Sequence, residues 1–218
     1  MGWFAFVDGY CERLDVGLWA EPLNFVTNAG FLAMALWLWP RVKLVAGARA
    51  LVVLLAAIGI GSGLFHSVAQ RWAGVADMVP ILLFVLTYIY LANRQFWRLS
   101  RGWSCAVLML FFPYSALVFW LLSDLVWLGE SLGYMPVPIL ITLYSIALWR
   151  RLPDLAVGLL IGAGLLMVSL GFRTLDLHLC AAWPIGTHFL WHLTNAAMLG
   201  WMIEVYRRHM LAGGGQQG

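Results

Sequence analysis

Three histidines have the spacing of metal ligands. The stretch "THFLWHLTN" places His188 and His192 four residues apart, and positions i and i+4 share a helix face. In "GSGLFH", Ser62 and His66 repeat that spacing. Where the ends of these two helices meet, His66, His188 and His192 converge on one ion and leave a fourth position for water. Three protein ligands with one open position is the pattern of a catalytic zinc site. Zinc lowers the pKa of its water to about 7, which gives hydroxide at neutral pH. Asp77, eleven residues beyond His66, is placed to take a proton and return it to a leaving amine. Ser62 is a candidate to hydrogen-bond a developing oxyanion or to hold the water. Each residue also has a plainer role. A membrane histidine can simply bond a neighbouring hydroxyl, Ser62 can be a small packing residue, and Asp77 can cap a helix. Haem b between two imidazoles is a second metal reading, but it uses neither Ser62 nor Asp77.

The elements that must position these residues are set by composition. The chain has 218 residues, 63% hydrophobic and 11% charged, against about 25% charged in soluble domains. This describes an all-α integral membrane protein with no separate soluble domain. The net charge of +3 is scattered as loop anchors, which excludes nucleic acid as a partner. Residues 1–20 lack the basic start and continuous apolar core of a signal peptide. One Lys against twelve Arg, with abundant Ala and Gly, points to a GC-rich bacterial genome and hence to a bacterial inner membrane.

Apolar runs near 20 residues mark spans, and seven are expected: 22–39, 47–66, 77–93, 103–122, 132–149, 154–172 and 185–205. They form a seven-helix bundle, one domain over 1–210, with 211–218 as a flexible tail. Breaks fall at Pro40, "NRQFWRLSRG", "DLVWLGES", "RRLPD" and "RTLDLH". Arg41, Lys43, Arg49, Arg94, Arg98, Arg101, Arg150, Arg151, Arg207 and Arg208 gather on one side, and Arg13, Arg71 and Arg173 on the other. Basic residues mark the cytoplasmic side, so the N-terminus is expected outside and the C-terminus in the cytoplasm. His66, His178, His188 and most acids collect on the outer, periplasmic side.

The segment "DGYCERLDVGLWAEPLN" holds four carboxylates, Asp8, Glu12, Asp15 and Glu21. Oxygen ligands at this density suit calcium; a solvated acidic segment with Glu21 at a helix start is the alternative. Asn24 and Asn28 suit interhelical hydrogen bonds. Cys11 and Cys180 both fall on the outer side and can pair in an oxidising compartment, whereas Cys105 falls on the cytoplasmic side.

"DGYCER…AEPLN", "GSGLFH" with Asp77, and "HFLWHL" together resemble the alkaline ceramidase family, from Asp8 to Asn195 and in the family's order. The chain also resembles the wider seven-helix membrane hydrolases that include the adiponectin and progestin receptors. The resemblance implies zinc on His66, His188 and His192, with Ser62 and Asp77 in catalysis. It implies calcium on Asp8, Tyr10 (through its carbonyl), Glu12 and Glu21, and a Cys11–Cys180 disulfide. The family's Asn ligand is Leu14 here, the spacings around Asp8 and between Glu12 and Glu21 differ, and Asp15 is the substitute ligand. The expected function is zinc-dependent hydrolysis of the N-acyl bond of ceramide or a related membrane lipid amide, giving a long-chain amine and a fatty acid. A seven-helix lipid receptor that keeps the zinc site is the alternative.

Overall fold

Apolar runs closed by proline, glycine or polar breaks fold here as helices. The computed structural model describes residues 2–7 and 9–214. The helices are α1 (Pro22–Thr27), α2 (Ala29–Leu38), α3 (Ala46–Val68), α4 (Arg71–Gln95), α5 (Arg101–Met109) and α6 (Phe111–Leu121). A 3-10 segment, Val126–Tyr134, leads into α7 (Pro136–Leu148), followed by α8 (Pro153–Leu179) and α9 (His188–His209). Prolines open α1, α7 and α8 in their first turn, where the missing N–H has no helical partner to lose. Among the described residues there is no strand, only one antiparallel bridge between Phe6 and Gln70.

Four helical stretches are long and apolar enough to cross a bilayer: α3, α4, Arg101–Leu121 and α8. The Val126–Tyr134 segment and α7 make a fifth if their 59° bend lies within one crossing. Pro22–Leu38 is shorter, and α9 carries His188, His192, Asn195 and Glu204 in its buried face. Large apolar side chains such as Val53, Leu83, Phe119, Ile146 and Val168 stand exposed along the outside. Soluble monomers rarely show such a surface.

The helix α9 packs on α8, α2, α3 and α1, while α3 packs on α4 and α7 on α8. Gly158 and Gly162 of α8 lie against Val205 and Met202 of α9, a small-residue spacing that lets helices approach closely. A second close approach sits beside the chemistry. Pro80 has no N–H for the Ala76 carbonyl one turn back, and Gly61 of α3 is the residue that meets this carbonyl. A Cβ at Gly61 would lie 2.9 Å from the Ala76 carbonyl carbon, so glycine there sets how near Ser62 comes to Asp77.

Two sequence expectations change. The α4 helix starts at Arg71, directly after Ala69 ends α3 in a left-handed conformation. Asp77 is therefore inside a helix and caps nothing. The α8 helix runs through "RTLDLH" to Leu179, because that stretch has no Pro or Gly and its charged residues find partners in the fold. Arg173 and Asp176 are helical residues rather than loop residues. At the other end, Met210–Gly214 continue α9 as a π-helical turn; the remaining tail, 215–218, lies outside the described residues.

Candidate metal centre

His66 sits in the last turn of α3, and His188 and His192 in the first turns of α9. Each is 1% exposed. Each offers a ring nitrogen, and these nitrogens lie within 4.8 Å of one another. Ring centroids are 5.1 Å apart for His66–His188, and 4.7 Å for both His66–His192 and His188–His192. The sequence expectation of three converging imidazoles is met in position. His178, also expected on that side, is exposed and bonds its own helix through Thr174.

The second ring nitrogens fix what the first can do. Thr27 Oγ1 donates its proton to the Leu23 carbonyl at 2.6 Å, so toward His192 Nδ1, 3.0 Å away, it can only accept. Nδ1 then carries the hydrogen, and Nε2 keeps its lone pair. His192 Nε2 is buried without a hydrogen-bond partner, as is His188 Nδ1. His66 Nδ1 lies 2.5 Å from Glu21 Oε2, the carboxylate–histidine arrangement that orients metal ligands. Burial pushes the Glu21 carboxyl up. The hydrogen bond from His66 outweighs it, with those of Asn24 and Arg13, and holds the group below its ordinary value. An ionised Glu21 accepts from His66 Nδ1–H and leaves Nε2 free. Buried, partnerless imidazole nitrogens aimed at one point fit a transition metal; the residues do not distinguish zinc from its neighbours.

The acidic segment behaves otherwise. Glu12 accepts the backbone N–H groups of Leu23 and Asn24 at 2.7 and 2.8 Å, and so caps α1. Glu21 pairs with Arg13 Nε as well as His66 and Asn24. The Tyr10 carbonyl accepts the Arg13 N–H at 3.2 Å. Asp15 bonds the Gly17 N–H at 2.5 Å, Leu14 is exposed, and Asp8 lies outside the described residues. The cation facing Glu21 is thus the Arg13 guanidinium, 4% exposed as a residue, which also donates to the carbonyls of His66, Asp15 and Gly17. Among the described residues, Glu12, Glu21, Asp15 and the Tyr10 carbonyl are engaged with protein partners and do not gather as a calcium site. Cys11 and Cys180 stand at disulfide distance, with Cα atoms 5.3 Å apart, while Cys105 is free and exposed.

Ser62 is buried on α3 and interacts with the half-buried Asp77 across the Gly61 contact; Asp77 also feels the charge of Arg173. Asn24 and Asn28 are both buried, with Asn28 Nδ2 donating to the Asn24 carbonyl. The bond therefore runs within one helical stretch rather than between helices.

Three structural partners escaped the sequence reading. Asp176 of α8 accepts the N–H groups of Thr187 and His188 on Oδ1 at 2.7 and 2.9 Å, and that of Cys11 on Oδ2 at 3.1 Å. It caps α9 from another helix and fixes where His188 begins. Gly186, with φ +69°, makes the turn; a Cβ there would meet Cys11 Cβ at 2.7 Å. Arg13 and Arg173 are the others. Arg173 gave one usable signal, a charge within an apolar helix.

An apolar cavity of about 80 Å³ lies deeper between the helices, lined among others by Ile58, Phe84, Tyr134, Trp191, Asn195 and Met202. Trp191, Asn195 and Met202 share α9 with the two histidines, so the cavity lies along the same helix that carries two of the candidate ligands. The chain matches no family model and no curated protein.

Proposed function

We propose that the chain is a zinc-dependent intramembrane amidase that cleaves the N-acyl bond of a membrane lipid. The observation that carries this reading is the trio of buried imidazoles, His66, His188 and His192, whose ligand nitrogens lie within 4.8 Å of one another, two of them without a hydrogen-bond partner, near Ser62 and Asp77. The resemblance of the three sequence motifs to alkaline ceramidases supports it, as does the apolar cavity adjoining Trp191. Contact between all three rings leaves no slot for a flat macrocycle, which favours zinc over haem. Seven membrane crossings are proposed, with the N-terminus and metal centre on the periplasmic side of a bacterial inner membrane. The ten-to-three division of basic residues supports that orientation.

Zinc held there would polarise the amide carbonyl and acidify a water. The protein's own part is proton handling. Asp77 takes the proton of the attacking water and returns it to the amide nitrogen as the C–N bond breaks. The Ser62 hydroxyl faces Asp77 and fixes the carboxylate. The cavity receives an alkyl chain, and its dry walls strengthen each electrostatic contact above it.

The test is metal analysis of purified protein together with fatty-acid release from a panel of lipid amides and esters, read by mass spectrometry. Zinc at one equivalent and amide cleavage lost in His192→Ala are expected. Zinc binding with no cleavage of any lipid would replace this reading by the receptor.

A further inference from the structure

The Nε and Nη2 groups form one edge of a guanidinium, and a carboxylate or phosphate engages both at once. Arg207 does this with Glu204, through Nε at 2.7 Å and Nη2 at 2.8 Å. Arg173 does not. Its side chain is 10% exposed, Nη1 donates to the Tyr10 hydroxyl at 3.3 Å, and Nη2 donates to Glu130 Oε2 at 2.7 Å. Nε is buried with no hydrogen-bond partner. The recognition edge is therefore half used, and by a carboxylate that is itself 80% exposed. Glu130 follows Gly129, whose φ of 52° breaks the Val126–Tyr134 segment. Exposed partners contribute little to an ion pair, so Glu130 is readily displaced.

The surroundings place this edge at the reaction centre. The Arg173 guanidinium carbon lies 5.8, 5.3 and 5.7 Å from the rings of Tyr10, Tyr134 and Trp191. Tyr10 stacks on His188 with centroids 3.9 Å apart. Tyr134 and Trp191 line the apolar cavity. A positive charge thus stands against Tyr10, which stacks on His188, and against two rings that line the cavity. Neutral lipid amides offer this edge single carbonyl or hydroxyl oxygens, whereas a carboxylate or phosphate engages Nε and Nη2 together.

We propose that Arg173 binds an oxyanion, carboxylate or phosphate, carried on the amine side of the lipid amide, and that Glu130 holds its place until the ligand displaces it. The inference rests on the lipid-amide reading and names its substrate class: N-acyl lipids with an anionic headgroup.

Three lipids that share one chain and one amide test it: N-oleoylglycine, N-oleoylethanolamine phosphate and neutral N-oleoylethanolamine. Affinity is measured by calorimetry in detergent micelles on the metal-loaded protein. Wild type is expected to bind at least one anionic lipid about tenfold or more tighter than the neutral one. A preference for only one of the two supports the proposal and identifies the anion. Arg173→Met abolishes the preference, and Glu130→Ala, at an exposed position, enlarges it by removing the competitor. Equal affinity for all three lipids in wild type, or a preference untouched by Glu130→Ala and Arg173→Met alike, overturns the proposal. Fatty-acid release from the same lipids separates the two ideas. Anion preference without release sinks the hydrolase and leaves the Arg173 site standing; release without preference does the reverse.

Discussion

Replacing Thr27 by Val removes a single hydroxyl and keeps the branched shape. In the native chain that hydroxyl accepts from His192 Nδ1 at 3.0 Å and so keeps Nε2 deprotonated for a metal. Valine removes that acceptor and leaves the Asn24 backbone carbonyl as the remaining partner of His192, a loss of about 0.5–1.5 kcal/mol for one hydrogen bond. The ring can escape by moving its proton to Nε2, but it then cannot ligate. Either way metal affinity falls, by roughly two- to tenfold at about 1.4 kcal/mol per decade, as expected for an outer partner of a ligating histidine. Competition with a chromophoric zinc chelator reads the change directly. Thr27→Ser restores the acceptor and should restore affinity. A Thr27→Val protein that holds zinc as tightly as wild type would refute the tautomer argument and with it the identity of the ligating nitrogen.

Asp77→Asn should retain metal and lose about 10²-fold or more in fatty-acid release; full activity in that variant would remove Asp77 as the proton carrier. Asp176→Asn weakens the cap on α9 and is expected to lower stability by about 2 kcal/mol, with faster amide exchange at Thr187 and His188; unchanged exchange there would mean that α9 is held by something else. Glu21 is held below its ordinary value of 4.5. Its contribution is therefore complete above pH 4.5 and is lost as the pH falls through the lower folded value. The metal-free protein should lose Tm over that acid range, and Glu21→Gln should flatten the loss; an identical acid limb in both proteins speaks against the pairing.

Periodicity and composition located the helices because burying an apolar run leaves few alternatives in a chain this poor in charge. The i, i+4 spacing located His188 and His192 for the same reason, since a helix converts spacing into direction. Charge was the poorer guide. "RTLDLH" read as a loop because a helix there must bury Arg173 and Asp176, and only tertiary contacts make that tolerable: Glu130 and Tyr10 for one, three backbone N–H groups for the other. The start of α4 was missed because Arg71 and Trp72 are not apolar-run residues, yet their N–H groups bond the carbonyls of Ala5 and Trp3. Nothing in local sequence announces partners 66 and 69 residues away. Acidic density suggested an ion at the N-terminal segment for lack of any view of Arg13, whose neighbours in space include a residue 53 positions along the chain.

Arg13 gives that segment a property no dissolved ion could. A guanidinium joined to the polypeptide cannot be diluted, exchanged or stripped by a chelator. Its effective concentration beside Glu21 and His66 is set once, by the chain itself. Among the described residues the imidazole trio is the cluster on which sequestering agents added from outside can act, while the fold of residues 9–21 around Arg13 should survive their removal of whatever is bound there.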